Sequence, residues 1–175
     1  TVDISGTVYS GVGGTALGAG LTVKLAVDGV EHGSSASTDA NGVYTFSNVT
    51  FGGDNRLLVW LDDDAMYEAV SVSGSSATNI SDLHLYDNTV SVRFSGGTLT
   101  NACLDTAKGV LADDDIRYSI SGGELTVDAD FALFIPSGTT FAPGAAVMLG
   151  DLRIEGTYNA GGYDITVSGD WNNAS

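Results

Sequence analysis

Apolar residues recur at every second position along almost the whole chain. Val2, Ile4, Gly6 and Val8 fall on one side of the first such stretch, with Asp3, Ser5, Thr7 and Tyr9 on the other. Leu21, Val23, Leu25 and Val27 then alternate with Thr22, Lys24 and Ala26. A period of two belongs to a strand with one buried face, so the chain is expected to be all-β. Further strands are expected at 34–38, around Tyr44 and Phe46, and over 67–72, 80–86 and 90–94. Arg56–Leu61 is instead a continuous apolar run, the pattern of a central strand covered on both faces. Asp28-Gly29 and Asp39-Ala40-Asn41-Gly42 read as turns, because Asn-Gly tolerates positive φ. Only 105–112 has helical character, and Gly109 interrupts it.

Short strands separated by turns at these intervals are the pattern of a β-sandwich. Ser95-Gly96-Gly97 is the natural boundary, giving an Ig-like or transthyretin-like β-sandwich over 1–94 and a Gly-rich domain over 95–175. In the second part, segments 123–129, 150–156 and 163–169 resemble one another, each a Gly-flanked strand with apolar residues two apart. Leu99, Leu125, Leu152 and Ile165 mark steps of 26, 27 and 13 positions. Steps near 13 and 27 point to a β-solenoid, with a second antiparallel sandwich as the alternative.

Twenty-two acidic residues against six basic ones give a net charge of −16. That balance argues against nucleic acid, whose phosphates need clustered Lys and Arg, and against an anionic membrane surface. No apolar run reaches the ~18 residues of a membrane-inserted helix. Cys103 is the single cysteine, so no disulfide can form within the chain. Few lysines beside abundant Gly, Thr, Ser, Asn and Asp match the composition of bacterial extracellular proteins, so an extracellular or cell-surface location is expected.

The carboxylates are the richest chemical resource. Asp62-Asp63-Asp64 and Asp113-Asp114-Asp115 are two runs whose members repel unless solvated or bound to a cation. Ca²⁺, which takes ~6–8 oxygen ligands, is the candidate cofactor. Asp39, in its Asp-x-x-Gly turn, is a further candidate ligand. A plainly solvated acidic loop is the competing reading. A glycoside hydrolase would need two carboxylates ~5–9 Å apart, one with a raised pKa. His32 and His84 are the only histidines, and no Gly-x-Ser-x-Gly elbow accompanies them, so a serine hydrolase is disfavoured. Cys103 is expected to be a buried core thiol in acidic surroundings. Glycan binding would use exposed aromatics as stacking platforms, the candidates being Tyr9, Tyr86, Tyr118, Tyr158 and Trp171.

Residues 2–94 resemble the carboxypeptidase-regulatory-like domains, transthyretin-like β-sandwiches related to the Cna-B repeats of bacterial surface adhesins. The matching stretches are Ser5-Gly6-Thr7-Val8, Leu21-Thr22-Val23-Lys24-Leu25 and Thr38-Asp39-Ala40-Asn41-Gly42-Val43-Tyr44-Thr45-Phe46, with Val49 and Gly52-Gly53 after them. The family's frequent proline before that last glycine is missing. Some Cna-B relatives carry a Lys–Asn crosslink in the core. Lys24 alternates against the apolar residues of its strand and should point away from the core, so no crosslink is expected. The second part resembles, more loosely, bacterial surface β-helical segments containing Gly-Asp-Trp-x-Asn, here Gly169-Asp170-Trp171-Asn172-Asn173. Together the resemblances imply a non-catalytic structural or adhesive module whose partners are proteins: neighbouring domains, or further copies joined in a filament through edge strands such as Val2 to Val8. A glycan- or calcium-binding module is the alternative.

Overall fold

A computed structural model describes residues 1–50, 52, 54–75 and 78–174. Gly53, part of the stretch that carries the family resemblance, lies outside the described residues. The architecture is all-β with one short helix: a β-sandwich that runs into a β-solenoid.

Strands β1 (Val2–Tyr9), β5 (Val43–Val49) and β8 (Leu85–Tyr86) form one sheet of the sandwich, in the order β5-β1-β8. The facing sheet contains β2 (Thr22–Val27), β6 (Arg56–Leu61) and β7 (Ala69–Gly74), paired antiparallel. Two-residue strands β3 (Val30–Glu31) and β4 (Ala36–Ser37) pair with β2 at its outer side. Val2, Ile4, Val8, Tyr44, Phe46, Val49, Leu83 and Leu85 meet Val23, Leu25, Leu57, Val59 and Leu61 between the sheets.

The second sheet does not end at β7. Parallel strands β9 (Thr89–Arg93), β13 (Ala132–Ile135), β16 (Asp151–Ile154) and β19 (Trp171–Asn173) continue it into one nine-stranded sheet. Strands β10 (Thr98–Leu99), β14 (Thr140–Phe141) and β17 (Thr157–Tyr158) form the second face of a three-sided solenoid. The third face is β12 (Glu124–Val127), β15 (Val147–Leu149) and β18 (Ile165–Val167), with β11 (Tyr118–Ser121) closing its near side antiparallel to β12.

The unbroken run of β6 now has its reason. Leu57, Val59 and Leu61 enter the sandwich core, while Leu58 and Trp60 enter the core shared with the solenoid. Leu58, Trp60, Val70, Val72, Val90 and Val92 pack there with the inward rows Leu133–Leu152, Ile135–Ile154 and Leu99–Phe141. The sheet therefore crosses Ser95-Gly96-Gly97 uninterrupted. Those glycines accommodate a ring: a Cβ at Gly74, Gly96 or Gly97 would lie 2.8–2.9 Å from the nearest ring atom of Phe94.

Two expectations need correction. On the face of β13, β16 and β19 the step between coils is 19 residues, set by Leu133, Leu152 and Trp171 in register, while on the other faces Thr140 registers on Thr157 and Val147 on Ile165. The steps near 13 and 27 joined strands from different faces, since Leu125 lies on β12, Leu152 on β16 and Ile165 on β18. Val2 to Val8 is also no free edge. β1 pairs with β5 on one side and with β8 and Ile80 on the other.

The helix, α1 (Asn101–Lys108), starts earlier than 105. Thr100 caps it, its side chain accepting from Cys103 N–H at 3.2 Å, and Gly109 ends it at φ 54°. Leu104 and Ala107 bury against the shared core.

Candidate functional site

The two aspartate runs approach one another at the end of β6. Leu61 is the last residue of that strand, so Asp62 leaves it beside β2, where Lys24 registers on Trp60. The second run follows α1 and its C-terminal loop. Asp62, Asp113 and Asp115 each offer an oxygen, all within 4.8 Å of one another.

Their surroundings are tightly hydrogen-bonded. Trp60 Nε1 donates to Asp113 Oδ2 at 3.1 Å. Asp63 N–H donates to Asp115 Oδ2 at 2.7 Å, and Asp115 N–H donates to Asp113 Oδ1 at 3.0 Å. Asp115 is 9% exposed; burial pushes its carboxyl up, opposed by the Asp63 N–H and reinforced by the Asp113 and Asp114 charges. A cation is already supplied by the chain. Lys24 Nζ lies 2.8 Å from Asp62 Oδ1 and 3.6 Å from Asp113 Oδ2. Its hydrogen bond to Asp62 holds the Lys24 ammonium well above the usual lysine range. Lys24 thus points away from the sandwich core and into the acidic group.

The other candidate ligands serve turns. Asp64 Oδ1 accepts from Met66 and Tyr67 N–H, each at 2.9 Å. Asp39 Oδ1 accepts from Val43 N–H at 2.9 Å and Asn41 N–H at 2.8 Å, which holds its carboxyl below the usual range. Asp63 joins the group through its backbone only, and Asp114 is exposed.

The aromatic candidates fall in two separate pairs and one buried ring rather than on one face. Tyr9 and Tyr86 stack on each other with centroids 5.5 Å apart, and His84 sits edge-on to Tyr9. Tyr118 is buried, its hydroxyl donating to the Leu104 carbonyl at 2.9 Å. Tyr158 and Trp171 belong to the far end of the solenoid, on β17 and β19.

The two histidines are structural neighbours rather than a pair. His84 is half-buried and its Nδ1 accepts from Thr7 N–H at 3.0 Å; burial lowers its pKa. His32 packs edge-on against Phe46.

Cys103 departs from the expectation of an inert core thiol in acidic surroundings. It is half-buried in the first turn of α1, where Thr100 Oγ1 donates to its sulfur at 3.4 Å. Burial pushes the thiol up, but Thr100 and the nearby Arg56 guanidinium leave it below its usual range. Sequence spacing could not reveal this, because Arg56 arrives from β6. No family model matches the chain, and neither a curated protein nor a solved structure matches it.

Proposed function

We propose that the chain is a non-catalytic structural or adhesive module of an extracellular or cell-surface protein. The observation that carries this reading is the single nine-stranded sheet spanning sandwich and solenoid. One hydrogen-bonded ladder continues from the two-stranded outer edge to β19, and both cores are built on it. The two halves are therefore joined through one continuous sheet and a shared core rather than by a flexible linker, which suits a spacer or stalk. The dispersed aromatics favour this over a glycan platform, which needs several rings coplanar on one exposed face. Lys24 and Arg117 each set a cation against the close carboxylates, which favours an internal ion-pair network over a free acid–base pair. Single-molecule pulling through tethers at residues 1 and 174 tests the mechanical part: one cooperative rupture event is expected. Separate, low-force unfolding of sandwich and solenoid would count against it. Proteolysis of intact source cells tests the location, and full protection of the chain until lysis would exclude surface display.

A second reading, a calcium-binding module, has the convergence of Asp62, Asp113 and Asp115 in its favour. Lys24 weighs against it, because its ammonium supplies the positive charge the trio would otherwise draw from solvent. Three carboxylates also fall short of the ~6–8 oxygens calcium takes unless carbonyls and water complete the shell. Melting of the wild-type chain with and without millimolar calcium decides between them.

A further inference from the structure

The β8 side of β1 is closed in part by an acceptor that can change its charge. The Asp3 carbonyl accepts from Ile80 N–H at 2.9 Å, and Ser5 N–H donates to the Ile80 carbonyl at 2.7 Å. The Ser5 carbonyl accepts from Leu83 N–H at 3.1 Å, and the Tyr9 carbonyl from Asp87 N–H at 3.0 Å. Val8 and Tyr9 pair in parallel with Leu85 and Tyr86. Two N–H groups in this row find side chains instead. Asp3 N–H donates to Asn79 Oδ1 at 3.0 Å, and Thr7 N–H donates to His84 Nδ1 at 3.0 Å. Only the second of these acceptors titrates.

Packing puts the ring there. Leu83 and Leu85 are buried in the sandwich core, so His84 between them turns away from it and onto β1. The ring lies edge-on to Tyr9, with centroids 5.4 Å apart, and to Tyr86 at 6.2 Å. A ring nitrogen that accepts from a backbone N–H carries no proton, so neutral His84 holds its proton on Nε2. A second proton must go to Nδ1, which then meets Thr7 N–H donor to donor. The charged groups acting on the ring are Asp82, from the same segment, and Arg93, from β9, which pair with each other. Tyr9 from β1 and Tyr86 from β8 are its titratable neighbours. Burial, helped by Arg93 and opposed by Asp82, holds His84 below the ordinary histidine value.

We infer that the seam between β1 and residues 80–86 is an acid-sensitive latch: a proton on His84 Nδ1 breaks the contact with Thr7 and opens this side of β1. A strand opened in this way presents unpaired N–H and C=O groups, the template for pairing with another strand. Acid thereby gives β1 the free edge that it lacks at neutral pH. The sign follows from linkage. A histidine whose folded value lies below 6.5 contributes stability that is present above 6.5 and is lost as pH falls through the folded value.

Amide hydrogen exchange in the wild-type chain and in His84→Asn tests the latch. Asparagine offers an acceptor at the same remove from the backbone as Nδ1 and does not titrate. Corrected for the intrinsic pH dependence of exchange, protection of the Thr7 amide in the wild type should fall roughly tenfold between about pH 7 and about pH 5, the effect of one backbone donor left unpaired. His84→Asn should keep its Thr7 protection over the same range. The amides of β6, in the facing sheet, report global loosening and should stay level in both proteins. Equal Thr7 profiles in the two proteins, whether falling or level, overturn the inference. Should His84→Asn not fold, the wild type decides alone: a fall at Thr7 no larger than that in β6 is global loosening and overturns the inference as well.

Discussion

Replacing Lys24 by methionine keeps an aliphatic stem beside Trp60, whose ring centroid lies 6.0 Å from Nζ, and removes one charge. In the wild type that charge faces Asp62, Asp113 and Glu31, with the Lys24, Asp62 and Asp113 side chains 27%, 14% and 17% exposed. Without it, the three carboxylate oxygens within 4.8 Å keep only the Arg117 guanidinium, 3.9 Å from Asp115 Oδ1, as a counter-charge. At an effective dielectric of about 20, one pair at that separation repels by about 3.5 kcal/mol. Water at the partly exposed rim, side-chain rotation and proton uptake remove much of this. The net loss should be about 2–3 kcal/mol, between the ~0–1 kcal/mol of an exposed pair and the ~3–5 kcal/mol of a fully buried pair that loses one member.

Urea denaturation of both proteins at neutral pH, in the presence of a chelator, measures it. The pH dependence carries a sign. Burial and the Asp113 and Asp114 charges already push the Asp115 carboxyl above its unfolded value, and removing the ammonium adds to that push. Asp115 therefore favours folding below its unfolded value of 3.8, and that contribution is lost as pH rises through the folded one. Lys24→Met should accordingly regain stability relative to wild type as the pH falls below neutral. Millimolar calcium should raise the midpoint of the variant more than that of the wild type, since no ammonium competes for the oxygens. A variant within about 0.5 kcal/mol of wild type at pH 7, indifferent to both acid and calcium, would refute the claim that Lys24 neutralises the trio.

Gly6→Val should destabilise the sandwich by about 2–4 kcal/mol in the same denaturation assay, because a Cβ there collides with the Leu83 carbonyl oxygen. That carbonyl also accepts from the buried Tyr44 hydroxyl, so the segment before β8 cannot simply move away. Phe141→Ala empties a fully buried site in the solenoid core and should cost about 3–5 kcal/mol; a loss under about 1 kcal/mol would mean the coils do not share one packed interior. Asp39, with its depressed pKa, stabilises the folded state above the unfolded value of 3.8 and loses that contribution as pH falls through the folded one. The stability gap between wild type and Asp39→Ala should thus stay level above about pH 5 and narrow in stronger acid, as followed by pH-dependent melting. Arg56→Met should slow the reaction of Cys103 with iodoacetamide at neutral pH; equal rates for the two proteins would separate Arg56 from the thiol's acidity.

The fold was legible wherever a single strand carried its own pattern. β1, β2 and β5 alternate because each buries one face, and the unbroken run of β6 announced burial on both. The coil length was hidden for a physical reason. Every face of a solenoid asks for the same thing, one or two inward apolar residues bounded by a tight corner, so strands of different faces look alike. Leu152 matched Leu125 and Ile165 by resemblance although it lies on a different face from those two. The true row of Leu133, Leu152 and Trp171 was obscured because its last member is unlike the other two. Corner glycines are better markers. A Cβ at Gly150 would strike the Ala129 carbonyl oxygen, and one at Gly169 the Asp151 carboxylate, so each reports the close passage of one coil over the next.

The acidic site shows where local sequence runs out. Consecutive side chains diverge, so a run of three aspartates cannot deliver three ligands to one point. Asp113 and Asp115, two apart, converge, while Asp114 between them stays in water. The third oxygen comes from the first member of the other run, because Asp62 still follows the direction of β6, whereas Asp64 has turned back to bind the N–H groups of Met66 and Tyr67. Reading the runs alone, an external cation is the economical way to hold such charges together. Cross-strand register supplies a different answer: Lys24 sits opposite Trp60, two residues before Asp62, on the face that looks towards the second run. Alternation in β2 predicts only that Lys24 leaves the sandwich core. What it meets there depends on the pairing of β2 with β6 and on the path of the loop after α1, which are tertiary facts. The same charge pattern that suggests a metal from sequence therefore includes, once strands are paired, an internal ion pair with which a metal would have to compete.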